Sequence, residues 1–246
     1  MHSHNATNLH LVFDIRDTFA NRFTISYSEL VEKHFWIKDF KEKGFYLEAE
    51  TPFILHPGAI EFFQLIDSMP GVTFSFFETG AKKKIELFVE KFLCLALGEA
   101  RYNQIKNDVK ILAEEDMDDQ NFELNAIHAE IYGLSSGGKK KNLTKLLKEK
   151  YSLSSTILID DDFETCHYEQ VKNFLKIPSA WEDHFRIFRY KSVPSLFKHS
   201  QEEFWCRANH IFYLTGVILS MIDASQCKEI SFADALFQMQ FNPSTN

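Results

Sequence analysis

Asp14 stands directly after the apolar run Leu9-His10-Leu11-Val12-Phe13 and opens the stretch Asp14-Ile15-Arg16-Asp17-Thr18. Four apolar residues in five read as a short buried strand, so a carboxylate leaves a strand end with a hydroxyl four places on. Three further stretches carry groups that fit with it. Glu78-Thr79-Gly80 follows the apolar run Val72–Phe77. Lys139-Lys140-Lys141 leads into Asn142-Leu143-Thr144-Lys145-Leu146. Asp160-Asp161-Asp162 follows Thr156-Ile157-Leu158-Ile159. A carboxylate of this kind can attack phosphorus and form an aspartyl-phosphate. Carboxylate and phosphate repel each other, so a cation must lie between them. Magnesium takes oxygen ligands, commonly one or two carboxylates plus phosphate and water. Asp14 and one of the late aspartates can supply the carboxylates, while a lysine and a hydroxyl hold the remaining phosphoryl oxygens.

The elements that must position these groups are readable in outline. Apolar runs predict strands over 9–13, 72–77, 109–113, 156–159 and 186–190, with a short extended piece at 51–56. Apolar residues at three- and four-residue spacing predict helices over 59–68 and 84–97, and a basic helix over 139–150. Charged helix-like pieces fall at 27–35 and 36–43, and a long apolar helix at 201–223. Strands alternating with helices imply an α/β fold with an open, mostly parallel sheet. Ligands of such sheets bind beyond the carboxyl ends of the strands, where the stretches above fall. Residues 1–246 read as one domain, with 19–52 left over for a small cap and 201–246 for a helical extension.

In this order, over residues 9–162, the stretches resemble the motifs of the haloacid dehalogenase (HAD) superfamily. Its first motif is an apolar strand followed by D-x-D-x-T, here Asp14 to Thr18. Its second is a strand ending in Ser or Thr, here Thr79. Its third is a lysine, and Lys141 to Leu146 resembles the K-D-L-S-x-L stretch of HAD protein phosphatases. Its fourth is an apolar strand followed by paired acids, here Asp160-Asp161. The resemblance implies an open parallel sheet flanked by helices and a phosphatase working through an aspartyl-phosphate on Asp14. Lys141 would bind the phosphoryl group and steady Asp14, with Lys139 and Lys140 as neighbours able to substitute. Thr79 and Gly80 would hold phosphoryl oxygens. Mg2+ would be held by Asp14, the backbone carbonyl of Arg16, Asp161 and Asp160. With room for only a small cap, the site suits a phosphorylated protein, phosphotyrosine-like in its ester, or an aryl phosphate. Such phosphatases include bacterial effectors, and the Phe-, Lys- and Asn-rich composition suits an AT-rich bacterial genome. The chain would then act in the cytoplasm or reach a host cell by a non-Sec route.

Two departures set the functional question. The family's second Asp protonates the leaving group; Arg16 stands there, and a guanidinium does not give up its proton near neutral pH. Asp17 comes one residue later, where its side chain is expected to point elsewhere. The second departure is Glu78: a one-residue shift puts it, not Thr79, in the second-motif position, where it can pair with Arg16 and fill the pocket with protein charge. Three readings are therefore open: a phosphatase, a catalytically impaired binding or scaffolding protein, and a phosphoryl-transfer enzyme with its acid elsewhere.

Composition narrows the rest. A net charge of −8 argues against a general nucleic-acid binder. The cysteines 94, 166, 206 and 227 lack a C-x-x-C spacing, so reduced thiols are expected. Adjacent Cys166 and His167 diverge too far for a catalytic dyad. His2, His4 and His10 lack a metal-ligand spacing. The 25 Phe read as core filler. The apolar stretch Ile211–Ile222 is too short to span a bilayer, and membrane association is not indicated.

Overall fold

The computed structural model describes residues 8–22, 44–47, 51–56, 58–119, 138–147, 151–177 and 210–241. At its centre lies β1, Leu9–Phe13, buried along its whole length. A strand covered on both faces carries a continuous apolar run, not an alternating one, which is what residues 9–13 show. β1 pairs in parallel with β5, Val72–Phe77, and with β9, Thr156–Asp160. Short parallel strands complete the sheet, β6 (Ile111–Leu112) beside β5 and β10 (Phe174–Lys176) beside β9. The order is β10-β9-β1-β5-β6. Phe13 is level with Ile159 and with Phe76. One residue on, Asp14 is level with Asp160, and Glu78 stands one step beyond.

Helix α1, Ala59–Ser68, starts after Gly58, whose φ of 83° lies in the left-handed region. That conformation calls for glycine, and a Cβ there would also meet the Phe212 ring at 3.3 Å. α1 buries Phe62, Phe63 and Ile66. α2, Lys82–Leu97, buries Ile85, Phe88, Val89, Phe92, Leu93 and Ala96. Among the described residues most phenylalanines lie in the core as expected, with Phe212 exposed: ring centroids lie 4.9 Å apart for Phe13–Phe63, 4.8 Å for Phe63–Phe92 and 4.9 Å for Phe19–Phe92. Such pairs add about 0.5–1.5 kcal/mol each beyond their buried area. The opposite face of the sheet packs Val12, Phe77 and Leu158 against Leu143, Leu146, Cys166, Val171 and Phe174. That second core fixes the segment carrying Lys141.

Several expectations need correction. The segment 139–147 is not an α-helix. β8, Lys139–Lys140, pairs antiparallel with β7, Asp118–Asp119; Lys141 bridges to Cys166; and Leu143–Leu146 forms a 3-10 turn. Leu143 and Leu146 are three apart, a spacing that suits a 3-10 turn as well as an α-helix, and Asn142 caps the turn by accepting the Thr144 N–H. The 109–113 strand shrinks to Ile111–Leu112. β10 went unforeseen because three residues carry no period. The helix expected to end at 223 runs on to Lys228, as His210–Lys228, and is followed by a further helix, Phe232–Phe241. A small antiparallel sheet, β2 (Ala20–Arg22), β4 (Thr51–Leu55) and β3 (Gly44–Leu47) with β4 in the middle, falls largely in the region given to the cap. The predicted pieces at 27–35, 36–43 and 186–190 lie outside the described residues, as does Cys206. Cys94, Cys166 and Cys227 are free thiols. Among the described residues, no helix is long and apolar enough to cross a membrane.

One buried group predicts an acid limit to stability. His10 shares a hydrogen bond of 2.9 Å with the Thr73 hydroxyl, stacks on Tyr151, and has its Nε2 buried without a partner. Burial, and then the charge of Lys110, lower its pKa from 6.5 to about 4. The unfolded chain therefore takes up a proton that the native state refuses. The contribution of His10 to stability is complete above pH 6.5 and is lost as pH falls toward 4. Linkage puts the loss at about 2–3 kcal/mol by pH 4.5. Urea unfolding at pH 7.5 and 4.5 should show it in the wild type, and His10→Phe should remove the His10 share of that slope, leaving the share of His56, whose pKa burial also lowers. An unchanged slope in the variant would assign the acid limit elsewhere.

Candidate active site

Beyond Phe13 the chain turns sharply. Asp17 takes a left-handed φ of 61°, and the N–H groups of Phe19 and Ala20 bond back to the Ile15 carbonyl. This returns Phe19 to the core and leaves Asp14 facing the strand ends. The Thr18 hydroxyl donates to Asp14 Oδ2 at 3.3 Å. The loop is braced from the far end of the chain: His210 Nε2 lies 2.6 Å from the Thr18 carbonyl and 3.1 Å from His56 Nδ1. Burial, followed by His210, pushes the His56 pKa well below the usual value.

Lys141 enters from the opposite side. Its Nζ lies 2.5 Å from Asp14 Oδ1 and 2.6 Å from Asp160 Oδ2, and the side chain is 1% exposed. The loop after β9 holds it there, since the Lys141 N–H donates to the Thr165 carbonyl. Asp160 is fixed in turn by the Asp162 N–H at 2.8 Å and the Thr165 hydroxyl at 2.9 Å. Burial opposes a charge on Lys141, but Asp14 and Asp160 outweigh it and hold the ammonium firmly protonated. Lys139 instead reaches Glu114, and the Lys140 ammonium donates to the Glu164 carbonyl, so neither stands in for Lys141.

Asp14, Asp160 and Asp161 each present an oxygen, all within 4.8 Å of one another. Burial, and then Glu78, raise the Asp14 pKa well above the carboxylate range, against the pull of Lys141. Burial, and then Asp160 and Asp17, push Asp161 up to about 7. Fully ionised, the three carboxylates would carry more negative charge than Lys141 alone balances, and they offer only hard oxygen donors. Both properties fit a divalent cation such as magnesium.

These groups line a cleft of about 670 Å³ together with Arg16, Glu78 and Thr79. Asp17 is among the residues that line it. Arg16 and Glu78 form the foreseen ion pair, Nε to Oε1 at 2.9 Å. The other Glu78 oxygen accepts the N–H groups of Ile15 at 3.2 Å and Arg16 at 2.9 Å. Arg16 Nη2 donates to both the carbonyl and the hydroxyl of Thr79. Glu78, not Thr79, therefore holds the innermost place after β5. Gly80 sits further out, its carbonyl accepting the Glu114 N–H. Residues missed in the sequence are Thr165, on Asp160, and Gln170. Gln170 accepts the Leu143 N–H at 2.8 Å and donates to Asn142 at 2.7 Å, which anchors the turn after Lys141. No local spacing signals a partner 27 residues away.

By sequence, the chain matches no family model and no curated protein. By structure it resembles fission yeast RNA polymerase II CTD phosphatase Fcp1 bound to beryllium fluoride, with a TM-score of 0.53 and 13% identity over 95% of this chain and 71% of that one. A second structure of Fcp1, described as an essential RNA polymerase II CTD phosphatase, gives a TM-score of 0.53 and 12% identity over the same shares. Nothing in these comparisons supports the expectation of a bacterial effector or of export into a host cell. The parallel order β10-β9-β1-β5-β6 with flanking helices is the HAD-like fold that this chain shares with Fcp1.

Proposed function

We propose that this chain is a magnesium-dependent HAD-type phosphatase that works through an aspartyl-phosphate on Asp14 and acts on phosphoproteins of the phosphotyrosine kind or on aryl phosphates. The observation that carries the proposal is Lys141 held between Asp14 and Asp160, beside Asp161, at the ends of adjacent parallel strands. Asp14 is the nucleophile. Thr18 and Lys141 fix its two oxygens, and Lys141 offsets the charge that gathers as phosphorus is attacked. Asp14, Asp160, Asp161 and the carbonyl of Arg16 would hold the ion, which when bound neutralises charge on the carboxylates and the phosphoryl oxygens. Residues 19–52 serve as a small cap, to which the strands Ala20–Arg22 and Gly44–Leu47 belong, leaving room for a large substrate. The phosphoprotein class is consistent with the CTD phosphatase activity named for Fcp1.

Arg16 cannot deliver a proton, so esters with good leaving groups are favoured. General acid help is worth about 10²–10⁴-fold, and an aryl phosphate needs little of it. Steady-state kinetics with magnesium should show aryl phosphate turnover at least ~100-fold above that of alkyl esters, and none for Asp14→Asn. Equal turnover of both esters would assign proton transfer to another residue, Asp17 being the nearest carboxylate in the chain. Asp161→Asn should weaken magnesium binding by calorimetry without unfolding the chain, because Asp161 sits past a strand end. Unchanged affinity would remove Asp161 from the ion site.

A second reading has its own observation. Glu78 and Arg16 fill the anion-facing side of the cleft with a protein ion pair. That arrangement favours a HAD-fold binding module. Binding of magnesium and a phosphate mimic together, with no turnover of any ester, would select it.

A further inference from the structure

We propose that Glu78 is a built-in competitor for the phosphoryl group: its carboxylate fills the seat of the substrate's oxyanion and must leave before a phosphate can enter. The inference rests on the phosphatase reading of the same cleft. Ile15 and Arg16 directly follow the nucleophile, and their consecutive N–H groups converge on one Glu78 oxygen at 3.2 and 2.9 Å. Successive backbone N–H groups turned inward make a concavity that binds anions. The other Glu78 oxygen takes the Arg16 Nε at 2.9 Å and lies 3.2 Å from the Thr79 hydroxyl. Two amides, a guanidinium and a hydroxyl are the donors that would suit two oxygens of a phosphate. Here a carboxylate from the same chain has them.

The seat is next to Asp14, as the donors' place in the chain requires. Glu78's charge also contributes to keeping the Asp14 carboxyl above its usual range. A dianion cannot share these donors with Glu78, because the like charges would lie within contact distance in a buried place. The side chain of Glu78 is 5% exposed and that of Arg16 45%. The guanidinium therefore forms the outer layer and the carboxylate the inner one, so the pair opens from the Arg16 side. A phosphate alone gains from the seat only what Glu78 loses. A substrate that also binds outside the cleft brings the additional energy needed to displace it. The consequence is selectivity: a large phosphorylated partner is admitted, whereas free phosphate and small esters compete poorly.

Inorganic phosphate in the presence of magnesium is the probe, and calorimetry on the full chain is the measurement. Glu78→Gln keeps the shape and removes the charge; Glu78→Thr removes the plug altogether. Both should bind phosphate at least tenfold more tightly than the wild type. In nitrogen-15 spectra, the Ile15 and Arg16 amides should shift in either variant and shift again on adding phosphate. Equal phosphate affinity in wild type and variants overturns the proposal, as does tighter binding with those two amides unmoved. If no protein binds phosphate, the proposal also fails, and a magnesium titration shows how far the failure reaches. Magnesium bound as before leaves the carboxylate site standing; magnesium not bound removes the phosphatase reading as well.

Discussion

Lys141→Met should destabilise the folded chain by about 3–5 kcal/mol at neutral pH, the usual result of removing one member of a buried ionic group. Methionine matches the length of the lysine stem, so the packing around it is kept. What goes is the only ammonium, among the described residues, that touches both Asp14 and Asp160. The Asp14 pKa already lies high with Lys141 present, because burial and Glu78 oppose its charge. Without Lys141 it rises further. A raised folded-state pKa means stability that is present at low pH and lost as pH rises. The deficit of the variant should therefore be small near pH 4 and grow toward neutrality. Urea unfolding of both proteins at pH 5 and 7.5 checks the size and the sign, and the His10 contribution is common to both and cancels. A deficit below about 1 kcal/mol at pH 7.5, typical of a solvated pair, would mean that water reaches these carboxylates.

The largest gain is expected from a double change. Arg16→Asp alone places a new carboxylate against Glu78, which keeps its hold on the Ile15 and Arg16 amides; it should lower stability and give no turnover. Glu78→Thr alone opens the anion seat but supplies no proton. Arg16→Asp with Glu78→Thr does both, and kcat for alkyl phosphates should rise about 10²–10⁴-fold, the usual worth of a positioned general acid. Aryl phosphates should gain less, since their leaving group needs less help. The four proteins form a cycle whose non-additivity measures the coupling of the two positions. A full gain from Arg16→Asp alone would show that Glu78 is no obstacle. A double variant that binds magnesium yet turns over nothing would select the binding-module reading.

The carboxylate half of the cleft was legible because a parallel strand buried on both faces writes itself as an apolar run. The acid after such a run, Asp14 or Asp160, is then bound to stand at a strand end. Lys141 was different. Its role came through likeness to a motif, while its local structure was misread, since Leu143 and Leu146 repeat at a spacing common to two kinds of helix. Its position is set by contacts far away in sequence, the Thr165 carbonyl and the Val171 and Phe174 side of the second core. The choice between Glu78 and Thr79 turned on a single residue of strand register. That register follows from β5 pairing with β1 and is absent from either run alone. Arg16 could be paired with Glu78 in advance because opposite charges at neighbouring strand ends have few other partners.

The histidine brace has a consequence for how the protein is made. Thr18 lies near the start of the chain, and the His210 that grips its carbonyl comes 192 residues later. Lys141 follows its Asp14 partner by 127 residues. At about 5–20 residues per second, a ribosome needs roughly 10–40 s to pass from the loop to its brace. Throughout that interval the Asp14 loop lacks its outer support, and for most of it the loop also lacks its lysine. The cleft is therefore complete only after helix His210–Lys228 has left the ribosome and docked.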